Sequence, residues 1–123
     1  MNVQGNFKLS SVYIKKGEFG WGVYTNELIP KGTLIEKAVM IRLNNVDGNE
    51  NPHLFTWSDD RTVWVHGTGL TPFYNHSDNP NVIKKGDLSN DILEYFASRD
   101  IKAGEELVGE YYSKKWRKCF TSF

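Results

Sequence analysis

The stretch PFYNHSDNPN, residues 72–81, sets three asparagines, a histidine and two prolines between apolar flanks. Asparagine, aspartate and proline are turn residues, so the local reading is a surface loop. Yet Phe73 and Tyr74 lead in and Val82 and Ile83 lead out, all apolar enough to be buried. Polar groups next to a core need partners, so the stretch must do more than reverse the chain. As a metal ligand, His76 would need partners from His53, His66 or scattered acids, and no pair has the helix-face spacing of HExxH. As a base for Ser77 it would act on its own neighbour, with no G-x-S-x-G elbow to present the hydroxyl. A loop braced by Asn and Asp side chains bonding nearby backbone is the simplest local account.

Working outward, 123 residues make one domain able to bury a core without staples. Aromatic residues reach 14% against an apolar total of 39%, so large rings carry much of the burial. Basic and acidic residues balance at 15 each, which leaves no global field for nucleic acid or an anionic membrane. The local exception is KKWRK at 114–118, read as a solvated face in preference to a nucleic-acid patch. Cys119 is the single cysteine, which excludes an intrachain disulfide and a cysteine-built zinc site. With no apolar run of signal-peptide or membrane-span length, a soluble intracellular domain is expected.

Strand signals dominate. SVYIKK (11–16), WGVYT (21–25), TLIEKAVMIRL (33–43), TVWVH (62–66) and DILEYFAS (91–98) are rich in β-branched and aromatic residues. In the last, Leu93, Tyr95 and Ala97 share one face and Ile92, Glu94, Phe96 and Ser98 the other. Turn signals fall between them at KKGEFG, IPKG, NNVDGNENP, SDD, HSDNPN, KKGD and IKAGEE. The fold class is therefore mostly β. Helix is expected only as a turn around 70–75 and as a short C-terminal helix from about Ser113, while 44–52 reads as a loop. GEFGWG (17–22) has three glycines, but its spacing is wrong for a dinucleotide fingerprint and Pro30 spoils the helix that should follow. A glycine-rich hairpin turn is the local reading. GEELVGEYYSKKW (104–116) reads as a turn into a final strand followed by rings that close the core.

In this order, the segments resemble one family. GWGVYTNELIPKGTLIEK (20–37), FYNHSDNPN (73–81) and RDIKAGEELVGEYY (99–112) are similar to the glycine motif, the FxNHSxxPN string and the RDIxxGEELxxxY string of the SET domain. That is the fold of protein-lysine methyltransferases that use S-adenosylmethionine. The resemblance covers about residues 8–118 of what reads as a single domain, 1–123, in its compact stand-alone form, as found in viruses and bacteria. It implies small curved sheets, a β-clip, with a C-terminal segment threaded under a loop as a pseudoknot. It further implies cofactor contacts from Phe19, Gly20, Trp21, Asn75, His76, Tyr111 and Trp116, with the His76 backbone reading the adenine edge. Tyr111 matches the catalytic tyrosine, and His53, Tyr74 and Gly109 fall at the substrate channel. The Asp78–Asn81 turn would brace the loop over the threaded segment.

By that resemblance the partner is a protein or peptide presenting a lysine, with no metal, no nucleic acid and no membrane. The location is intracellular: cytoplasm or, for a viral protein, the host cell and its nucleus. Self-association into a homodimer would complete an open channel. Four positions depart from the family. Asp78 stands where many relatives have cysteine, so the zinc-binding post-SET element is absent and Trp116, Phe120 and Phe123 would close the channel. His53 replaces a channel tyrosine. Gly109 replaces an aromatic residue two before Tyr111, leaving space for more than one methyl transfer. Lys114 and Lys115 reverse the charge before the final aromatic residue. A SET-fold module that binds cofactor or peptide without catalysis is the alternative these departures raise.

Overall fold

The computed structural model describes residues 11–18, 20–49, 51, 54–58 and 60–110. Nine strands follow in order: β1 (Val12–Gly17), β2 (Gly20–Thr25), β3 (Leu34–Leu43), β4 (Leu54–Thr56), β5 (Trp64–Gly67), β6 (Asn75–His76), β7 (Val82–Asp87), β8 (Ile92–Ala97) and β9 (Glu106–Gly109). One 3-10 turn, Thr71–Phe73, falls where the sequence predicts a helical turn. The expected C-terminal helix lies outside the described residues. Among these, no helix is long and apolar enough to cross a membrane.

The strands form two sheets, ordered β4-β5-β3-β8-β7 and β1-β2-β9-β6. In the five-stranded sheet the alternation predicted for DILEYFAS holds, with Tyr95 and Ala97 buried at 2% exposure. Opposite it, a bulge in β3 between Leu34 and Glu36 lets two successive residues face inward. Ile35 is buried, and Glu36 pairs with Tyr95 and shares its face. KKGD, expected as a turn, instead forms the last four of the six residues of β7. The reversal comes after it, where the Asp87 carboxylate accepts the Ser89 and Asn90 backbone N–H groups and Asp91 takes a φ of 55°. In the 44–52 loop, a Cβ at Gly48 would collide with the Trp64 ring, so the loop backbone packs directly on β5.

In the four-stranded sheet β1 and β2 form a hairpin closed by the Gly17–Gly20 pair, as the glycine-rich segment predicts. The neighbour of β2 is β9, antiparallel. On its far side β9 pairs in parallel with β6, matching Asn75 to Val108 and His76 to Gly109. A late segment thus enters between two early ones. Asn81, 1% exposed, holds it there. Its Oδ1 accepts the Val108 N–H at 2.8 Å, and its Nδ2 donates to the Glu106 carbonyl at 2.9 Å. The Asn81 backbone N–H donates to the Val108 carbonyl, and Ser77 N–H to that of Gly109. The polar residues of 75–81 are therefore the partners that the β9 backbone needs. Leu107, fully buried, adds about 2 kcal/mol of apolar burial to the same strand.

Candidate active site

Three of the segments singled out in the sequence meet at one end of the four-stranded sheet. Gly20 has a φ of +110°, a left-handed conformation that favours glycine. Gly22 is required for another reason: a Cβ there would collide with the Glu106 carboxylate. That close approach lets Glu106 Oε2 accept from Asn75 Nδ2 at 2.7 Å. The other Asn75 N–H goes to the Trp21 carbonyl at 2.9 Å. One amide therefore ties the glycine turn, β6 and β9 together. Both its donors are engaged, and among the described residues its Oδ1 accepts no bond, leaving an acceptor at the sheet edge. Beside it the Trp21 ring is half exposed.

His76 sits next along β6, paired with Gly109, and its Nε2 lies 2.8 Å from Asp78 Oδ1. The imidazole is thus engaged within its own loop. Tyr74, just before β6, is 5% exposed. Its ring stacks on Tyr95 at 4.2 Å, and its hydroxyl donates to Glu36 Oε1 at 2.9 Å. Burial, followed by the Glu36 charge, pushes the phenol pKa up, so the hydroxyl stays a donor. Glu36 Oε2 also accepts the Leu70 N–H at 2.8 Å, fixing the turn that leads into Tyr74. The ring faces the core.

Gly109 ends β9. A Cβ built on it would lie 3.6 Å from Lys84 Cε and 3.9 Å from Lys84 Nζ. The space that glycine leaves is thus bounded by a lysine of β7. Burial lowers the Lys84 pKa to about 8, against the opposing pull of Glu110. Phe19, His53, Tyr111 and Trp116 lie outside the described residues, as does the pair Lys114 and Lys115. Among the described residues, no group of three His, Cys, Asp or Glu side chains could hold a metal ion. Glu36, Glu106 and Lys84 were not expected at the site. Glu106 could have been suspected from its place in GEEL, and Lys84 from sharing a strand face with buried Val82.

The SET domain family model matches residues 20–112. This chain is a SET domain. Its relatives include a histone-lysine N-methyltransferase, H3 lysine-37 specific, of Schizosaccharomyces pombe, 30% identical over 79% of this chain and 69% of that protein. Similar solved structures include a candidate histone methyltransferase of Plasmodium falciparum, 26% identical with a TM-score of 0.65, covering 82% of this chain and 92% of that one. Polycomb Repressive Complex 2 of Chaetomium thermophilum, bound to GSK126, has a chain 25% identical with a TM-score of 0.67. The match covers 83% of this SET domain but 16% of the complex's chain. The mostly β fold expected from the sequence is therefore that of SET-family protein-lysine methyltransferases.

Proposed function

We propose that this SET domain transfers a methyl group from S-adenosylmethionine to the side-chain amine of a lysine in a protein, with histone H3 the first substrate to try. The observation that carries the reading is the meeting of Gly20–Gly22, Asn75–His76 and Gly109 at one end of the four-stranded sheet, immediately before Tyr111. The residues present fit the cofactor. Gly20 allows a close backbone approach, the Asn75 Oδ1, which accepts no bond among the described residues, suits an ammonium group, and the half-exposed Trp21 ring offers an apolar face.

When bound, the cofactor supplies a methyl group on a sulfonium, open to in-line attack by an amine lone pair. The chain's own task is to present that lone pair. A free lysine has a pKa of about 10.4 and is protonated near neutral pH, so the site must favour the neutral form and hold it in line. An apolar, ring-lined approach would do the first by desolvation. The Tyr111 hydroxyl oxygen and nearby backbone carbonyls do the second, without a metal or a strong base. Trp116 would cover the adenine and His53 would line the lysine approach. A histone substrate implies action in the nucleus.

The test is incubation with methyl-labelled cofactor and either histone H3 or cell lysate, followed by mapping of the labelled lysine. Tyr111→Phe is expected to cut turnover by about 100-fold while calorimetry still detects cofactor binding. Unchanged turnover would remove Tyr111 from the reaction. Cofactor binding with no transfer to any protein would favour the non-catalytic binding module.

A further inference from the structure

The sequence places a glycine where SET relatives carry an aromatic ring, and glycine alone implies an open site. The structure alters that implication. Gly109 lies outside the left-handed region, so its backbone would accept a side chain, and a Cβ would meet only ordinary contacts: Lys84 Cε at 3.6 Å, Lys84 Nζ at 3.9 Å and the Val82 carbonyl at 4.0 Å. Any larger group would grow into Lys84. Register explains why the lysine is there. Val82 and Lys84 alternate onto one face of β7, Lys84 pairs with buried Tyr95 of β8, and the stem runs along the end of β9.

We propose that Lys84 is a specificity-determining residue of the site: its stem and amine occupy the volume that Gly109 leaves, so Lys84 limits the size of the amine that can be accommodated. The inference rests on the methyl-transfer reading given above. An amine that already bears methyl groups needs more room than an unmodified one. A glycine backed by a lysine is therefore a narrower site than a glycine backed by solvent. Burial of the Lys84 amine, which lowers its pKa, is consistent with a side chain held against the protein. Charge also matters: Lys84 in its protonated form opposes the approach of a second cation.

Two measurements test this, one independent of activity. Thermal unfolding of Gly109→Phe, Lys84→Ala and the double variant measures whether the two positions share one space. Gly109→Phe alone is expected to lower Tm by roughly 5 °C through overpacking, and the added Lys84→Ala to restore most of that loss. Additive shifts would overturn the shared volume and the proposal with it. The second measurement is mass spectrometry of a histone H3 peptide array after turnover by wild type and Lys84→Ala. The ratio of further to first methyl transfer is expected to rise roughly tenfold in the variant. An unchanged ratio, with both enzymes active, overturns the specificity role alone. Coupled Tm shifts with no transfer by wild type to any peptide or lysate protein instead overturn the methyl-transfer reading, and leave Lys84 a packing residue.

Discussion

In the five-stranded sheet, β3 and β8 meet along Leu34–Val39 and Ile92–Phe96 and turn Ala38, Met40, Tyr95 and Ala97 into one core. In the four-stranded sheet, β9 runs beside a β6 of two residues and takes further hydrogen bonds from the side chain and backbone of Asn81 and from the Ser77 N–H. The first arrangement relies on apolar alternation, which tolerates exchange of one hydrophobic residue for another of similar volume. The second relies on particular polar atoms at particular positions. It is also the sheet that carries the glycine turn and Asn75. The proposed site thus lies in the sheet whose order depends most on particular polar atoms.

That contrast can be broken first at Asn81. Asn81→Ala leaves the Val108 N–H and the Glu106 carbonyl without their partner, and is expected to cost about 3 kcal/mol in urea unfolding. Val65→Ala, in the five-stranded sheet, removes apolar volume at a cost of about 2 kcal/mol. The two should separate in calorimetry: cofactor affinity falls for Asn81→Ala and holds for Val65→Ala. Equal affinities would mean that β9 keeps its place without the asparagine. Gly22→Ala comes next, at about 2 kcal/mol, because its methyl group would meet the Glu106 carboxylate. The double variant with Glu106→Ala should recover part of that loss, and an additive result would show that the two do not touch.

Lys84 sharpens the comparison through pH. Its pKa is about 8 in the folded state and about 10.4 when unfolded. Between those values the unfolded chain holds a proton that the folded chain has released, so stability rises with pH. Below about 8 both states are protonated and the burial penalty is present in full. Lys84→Met is expected to raise the urea midpoint at pH 7 by the equivalent of about 1 kcal/mol and to flatten the rise between pH 8 and 10. The smallest effect belongs to the five-stranded sheet. Asp91 accepts from Arg42 Nε at 3.0 Å and from Trp57 Nε1 at 2.9 Å, and the Arg42 hydrogen bond, ahead of that from Trp57, holds its pKa below the usual carboxylate range. Its contribution is present above the unfolded pKa and lost as pH falls through the folded one. Asp91→Asn should therefore lower stability slightly at neutral pH, make the acid limb of the unfolding profile shallower, and match the wild type once pH falls below the folded pKa.

The same contrast governs what could be read from the chain. β3, β5 and β8 announce themselves because alternating β-branched and aromatic residues are what a half-buried strand requires. β7 was concealed by Gly86 and Asp87, turn formers that here complete a strand before the reversal. β4 and β6 are too short for any period to show. The motifs at 20–37, 73–81 and 99–112 identified the family. They could not indicate that Asn75 would join Trp21 to Glu106, or that Lys84 would fill the space at Gly109, since both depend on which strands become neighbours. Sequence reports the side chain at a position; register decides what it meets.

The order of strands carries one further consequence. β9 is the last of the described strands yet occupies an interior place in its sheet, between β2 and β6. During synthesis the β1–β2 hairpin therefore emerges long before the strand that will cover its open edge. Pairing across so long a stretch makes a slow folder, because loop closure must precede the contacts that reward it. Until Glu106–Gly109 arrives, the exposed β2 edge is a template for another chain. The backbone of β2 that the proposed site uses is thus also the aggregation hazard at an earlier time in the life of the molecule. A cofactor that binds only the completed sheet would draw the chain out of that exposed state.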